Sequence, residues 1–254
     1  MLNLFQHLVI KIPKHTFVAG ACECGVAFGM TLDFMKDIYI SNITKWAPGL
    51  ADDEQLWQSW LSGDTQIEQI KESPKLEYTD PLFRRRLSQI TKMTVHVIHS
   101  LLEKTNISKE TKLVFVSLRG EIEREFTINQ GIIEDGMILP AGFSLSVFNT
   151  PVSSATLAFG MKGGYSVLYP SQNDFSQAFK AAVAPVLAGT EKQIILVYAD
   201  ELVPEVYADK RPAENIPLAF ACVVSAEKKD NSICLDDFSD VGKSPVEFLH
   251  FLLK

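Results

Sequence analysis

The residues of this chain best placed for chemistry lie where a short strand-like run ends at the start of a helix. Tyr165–Tyr169 is such a run, Pro170-Ser171-Gln172 breaks it, and Asn173 and Asp174 stand in helix-capping positions. An α/β fold often holds a nucleophile at an elbow of this kind. The N–H groups of the first helical turn and the helix dipole stabilise an anion there. Here the elbow residue is Gln172, and a carboxamide is no nucleophile. The frame of a catalytic position is present without its reactive atom.

The other candidates are weaker. Gly160, Gly163 and Gly164 precede a strand, whereas a dinucleotide-binding loop follows one, so a nucleotide fold is not expected. No GxSxG elbow occurs, and Ser153-Ser154 reads as helix packing. Asp200-Glu201, at the end of an apolar run, suits either acid–base work or helix capping. Cys22-Glu23-Cys24 is too closely spaced for a CxxC pattern and has no second pair, so no metal and no cofactor are expected. Arg84-Arg85-Arg86 is either an anion-binding patch or an ion-paired helix start. His96 and His99 read as surface residues of a helix.

The elements that must position these residues follow from hydrophobic period. Asp37–Ile43 alternates as a strand, and Thr111–Ser117, Gln193–Tyr198 and Pro217–Ser225 are near-continuous apolar runs of the kind buried strands show. Leu87, Ile90, Thr94, Val97, Ile98 and Leu101 recur at helical spacing, and Trp57 and Trp60 suggest a shorter amphipathic helix. Further helices are expected from Glu123 to Gln130, from Phe143 to Thr156, and after Asp174 with an interruption at Pro185. The order β-α-β-α-β-α-β-β implies an α/β fold with a mostly parallel five-stranded sheet covered by helices. Residues 1–34 are expected to be a poorly ordered extension, 35–226 the domain, and 227–254 a tail with a short helix.

Composition excludes several classes. A net charge of −7 disfavours nucleic acid as a partner, since phosphate binding needs a basic surface. No apolar run reaches the ~20 residues that a bilayer-spanning helix requires. With no signal-peptide pattern and few cysteines, a cytoplasmic protein is expected.

Five stretches together carry a family likeness: Trp46–Leu50 (WAPGL), Arg84–Ser88 (RRRLS), Phe115–Glu121 (FVSLRGE), Phe143–Asn149 (FSLSVFN) and Val197–Glu201 (VYADE). In this order they resemble the amino-terminal half of the β-ketoacyl synthases, which have a thiolase-like fold. More narrowly, they resemble the short ketosynthase-like chain-length factors of aryl polyene biosynthesis. Phe148 departs from the pattern, since the family usually has His there.

The resemblance implies that Gln172 falls where the family keeps its active Cys, and that the histidine-bearing second half is absent. It therefore implies no catalysis by this chain alone. It also implies a heterodimer with a full-length ketosynthase, joined through the edge strand of Tyr165, Val167 and Tyr169. An acyl tunnel would be walled by Arg119, Phe143, Phe148 and Asn149, and acyl carrier protein would dock on Arg84, Arg85 and Arg86. An open edge and a bare apolar face, both awaiting the partner, are further expectations. Two alternatives remain: a malonyl-carrier-protein decarboxylase using Gln172, or a regulatory binding protein.

Overall fold

A strand buried on both faces cannot alternate apolar with polar residues. The central strands β2 (Lys112–Val116), β4 (Gln193–Asp200) and β5 (Leu218–Ser225) are accordingly apolar almost throughout. Their side chains divide by parity between two cores. Val114, Leu196 and Phe220 enter one, and Phe115, Val197 and Ala221 the other. The computed structural model describes residues 37–136, 140–170, 174–210, 215–235 and 238–254, all within the unit Phe34–Lys254. The expected extension at residues 1–34 lies outside the described residues, and so does Gln172.

Three more strands, β1 (Ile38–Trp46), β3 (Tyr165–Leu168) and β6 (Ile233–Leu235), complete a six-stranded sheet ordered β3-β2-β4-β5-β1-β6. The expected mostly parallel, five-stranded sheet is corrected on two counts. β2 pairs in parallel with β3 and β4, but β5 is antiparallel to β4 and β1, and β6 is antiparallel to β1. β1 to β4 do share one direction, and β5 inserts between two of them. Burial on both faces gives an apolar run whichever way a strand points, so direction was not readable from composition.

One face of the sheet is covered by α1 (Glu54–Ser62), α7 (Phe175–Leu187) and α8 (Pro245–Leu253). The other is covered by α3 (Gln89–Lys104) and α6 (Thr150–Phe159). No bare apolar sheet face is left among the described residues, which corrects that expectation. The segment expected as a tail is the cause. It supplies β6 and then α8, opened by a capping box of Ser244 and Glu247. Phe248 of α8 is fully buried, its ring centroid 5.3 Å from that of Phe175, 5.0 Å from Phe179 and 5.8 Å from Phe220.

The expected helix from 143 to 156 is two pieces, α5 (Pro140–Phe143) and α6, because Pro151 belongs in the first turn of a helix, where its missing N–H is not needed. α7 runs two residues past Pro185 before Gly189 turns left-handed. α2 (Pro81–Arg84), capped by Asp80, and α4 (Ile122–Asp135) complete the frame. None of the described helices is long and apolar enough to cross a membrane.

Candidate functional site

The carboxyl ends of β2 and β4 meet in a buried polar knot. Asp200, the last residue of β4, has no exposed surface. Its carboxylate accepts from Ser117 Oγ and Tyr198 Oη, each at 2.6 Å, from Leu118 N at 3.0 Å and from Arg119 N at 3.1 Å. The Arg119 guanidinium, also nearly buried, lies 3.9 Å away. Burial pushes the Asp200 carboxyl up, against the opposing pull of Arg119 and the hydroxyl and amide donors. Loop 117–120 is thus moulded around a single acid.

Glu201 follows and joins two helices. It accepts from Ile90 N at 3.3 Å in α3 and from Glu123 N at 3.2 Å in α4. Glu121 accepts from Ser88 Oγ at 2.7 Å, from Thr91 Oγ1 and from Arg124 Nε at 3.1 Å. Of the two readings open for Asp200-Glu201, the geometry gives loop and helix-end capping. Every buried side-chain nitrogen and oxygen among the described residues has a partner.

The knot sets the position of Arg119 and Gly120, and four of the other sequence-selected residues gather beside them. Gly120 has φ of +60°, and a Cβ there would stand 2.6 Å from the Phe148 ring. Phe148 meets Tyr169 edge to face, with centroids 6.0 Å apart. Asn149 Nδ2 donates to Tyr165 Oη at 2.9 Å. Tyr165 and Val167 lie on β3, whose one partner among the described strands is β2, so that its outer edge is open among the described residues. Tyr169, just past β3, is 62 % exposed, and Val167 is partly buried. Phe143, at the end of α5, is 56 % exposed and shares no ring contact with this group.

Replacing Gly120 by Ala is expected to cost about 2 kcal/mol, from the left-handed backbone and the displaced ring together. Phe148→Ala in the Gly120→Ala background should return part of that loss, read as non-additivity in urea unfolding. Strict additivity would show that the ring and the loop do not touch.

Arg84, Arg85 and Arg86 stand apart from the group. Arg84 Nη1 donates to the Leu76 carbonyl at 3.3 Å, while Arg85 and Arg86 are exposed. The Arg86 carbonyl accepts from Arg124 Nη2 at 2.7 Å, tying the triplet to α4. The two histidines are not simple surface residues. His96 Nε2 lies 2.8 Å from Asp52 Oδ1, and His99 stacks on Tyr78 with centroids 3.5 Å apart. Sequence reading missed Glu121, Gly120 and Tyr198 as parts of the knot. Only their membership in two motifs some 80 residues apart hinted at them.

Residues 57–246 match the beta-ketoacyl synthase, N-terminal domain. The chain belongs to that family. Among solved structures, a ketosynthase (ApeO) in complex with its chain length factor (ApeC) from Xenorhabdus doucetiae matches with a TM-score of 0.65 and 24 % identity, over 74 % of this chain and 79 % of that one. The ishigamide ketosynthase/chain length factor matches with a TM-score of 0.60 and 10 % identity, over 74 % of this chain and 62 % of that one. A type II polyketide synthase acyl-carrier protein in complex with its ketosynthase bound to the hexaketide gives 0.54 and 14 %, over 75 % of this chain and 63 % of that one. No curated protein sequence matches. The ketosynthase fold is thereby established: a thiolase-like sheet flanked by helices, whose FVSLRGE and VYADE motifs form the knot.

Proposed function

We propose that this chain is a non-catalytic, chain-length-factor-type partner of a full-length ketosynthase in polyene or polyketide-like chain elongation, with substrates borne on acyl carrier protein. One observation carries the reading. On a β-ketoacyl synthase amino-terminal fold, the open edge strand β3 and its exposed aromatics adjoin Phe148 and Asn149, so pairing at that edge would bring these residues to the boundary between subunits. Gln172, in place of a thiolate, supports the absence of chemistry in this chain. The similarity to ketosynthase–chain length factor pairs supports the partner.

In the proposed pair, antiparallel joining at β3 buries on the order of 2,000 Å². Arg119, Phe143, Phe148 and Asn149 wall the far end of the acyl tunnel, where bulk stops extension. Arg85 and Arg86 are the exposed cations for an acidic carrier protein. The five sequence stretches support an aryl polyene system, and the few cysteines support a cytoplasmic setting.

Co-expression with a full-length ketosynthase of the same gene cluster tests this. A 1:1 mass by light scattering, elongation of malonyl-carrier protein only by the pair, and loss of pairing by at least tenfold in Tyr169→Asp are expected. Elongation by the purified chain alone would overturn the reading. Carbon dioxide release from malonyl-carrier protein that disappears in Gln172→Ala would favour the decarboxylase instead.

A further inference from the structure

A stacked pair of rings, a Gly-rich turn and an unpaired cation meet in one cleft away from the Asp200 knot. Tyr78 and His99 lie face to face, their centroids 3.5 Å and their planes 9° apart. Phe159, the last residue of α6, packs with its centroid 5.6 Å from that of His99. The turn after α6 is shaped to hold Lys109. Lys162 N and Gly163 N both donate to the Lys109 carbonyl, at 2.7 and 3.2 Å, and a Cβ on Gly163 would collide with the Glu110 carbonyl. A Cβ on Gly160 would lie 3.9 Å from Lys109 Nζ, so the ammonium stands over the end of α6 that carries Phe159. The cleft that these groups line holds about 610 Å³, within the range of small-molecule sites. Lys109 leads into the amino end of β2, whereas the knot is built at its carboxyl end.

The uncommitted polar groups decide what the cleft can hold. Asp80 is engaged in capping α2, accepting from Leu82 N at 2.8 Å and from Phe83 N at 3.1 Å. Glu103 points to water at the rim, its side chain 73 % exposed. The Tyr78 hydroxyl and the Lys109 ammonium make no hydrogen bond or ion pair among the described residues. Burial and the Asp52 charge push the Tyr78 phenol up, so it remains a donor at neutral pH, and burial pushes His99 down, so its ring is uncharged there. Two donors, one of them cationic, beside a wall of rings call for an anionic acceptor on a flat apolar body. We propose that this cleft binds a planar aromatic carboxylate, with its ring against Phe159 and its carboxylate between Lys109 Nζ and Tyr78 Oη. The ring contacts supply buried area, and the charge-assisted bonds fix the orientation. The site belongs to the chain itself and does not rest on the partner reading.

Calorimetric titration of the full chain with naphthoate tests the site. Naphthylmethanol keeps the rings without the charge, and decalin carboxylate keeps the charge on a saturated body. Naphthoate is expected to bind with a Kd on the order of 100 µM, and about tenfold more tightly than either control. Lys109→Met should weaken naphthoate about tenfold and leave naphthylmethanol unchanged. Tyr78→Phe, which keeps the stack on His99, should weaken naphthoate about fivefold, again without effect on the alcohol. Phe159→Leu should weaken both aromatic probes alike. Lys109 is exposed and Tyr78→Phe keeps the ring, so both variants should fold as wild type does, which circular dichroism checks. Absence of saturable naphthoate binding, equal binding of all three probes, or unchanged naphthoate affinity in Lys109→Met would overturn the proposal.

Discussion

Asp200→Ala is expected to lower the free energy of unfolding by about 4–5 kcal/mol, the largest loss from any single polar residue of this fold. The substitution removes no apolar packing of note. It leaves Ser117 Oγ, Tyr198 Oη and the amides of Leu118 and Arg119 without their shared acceptor, and the Arg119 guanidinium without its nearest carboxylate. Each orphaned buried donor costs about 1 kcal/mol or more, and water has little access to relieve them. Asp200→Asn should fall between, near 2 kcal/mol. It keeps one acceptor oxygen but turns an amide donor towards groups that are donors themselves. Urea unfolding followed by tryptophan fluorescence reads both values, and a loss below 1 kcal/mol for the alanine variant would show that the knot does not hold the loop. Because Arg119 and Gly120 ride on that loop, the alanine variant should also disturb the contact between Gly120 and Phe148.

Removal of α8 is expected to be as damaging. A chain ended after Lys243 would expose Phe175, Phe179 and Phe220, which now close around Phe248, and should be recovered only as aggregate. The point substitution Phe248→Ala isolates the packing term. A phenylalanine buried among aromatic neighbours loses 3–5 kcal/mol on truncation, through transfer and the residual cavity together. Circular dichroism melts of the point variant, with soluble yield for the truncation, measure the two effects. A soluble, cooperatively melting chain without residues 244–254 would make this segment the appendage that its sequence suggests.

The same segment shows where sequence stops informing. Phe248, Leu249 and Leu252 mark an apolar helix at the chain end, but an apolar stripe does not say which surface it covers. Only the folded sheet shows Ile38, Phe220 and Val224 lining the face on which α8 rests. Likewise the apolar runs of β2, β4 and β5 announce buried strands without stating direction, since a doubly covered strand carries no polar face by which to orient it.

The positions of β1 to β5 and of the main helices between them were set by local pattern: period, caps and breakers. The meeting of Asp200 with Ser117, of Glu201 with two helix starts, and of Phe148 with Gly120 was decided by tertiary structure. These partners are separated by some 30 to 110 residues, and hydrogen bonds over such spans leave no periodic trace in the sequence. Local interactions fix what each segment becomes, and burial of the assembled sheet fixes which polar groups must find one another.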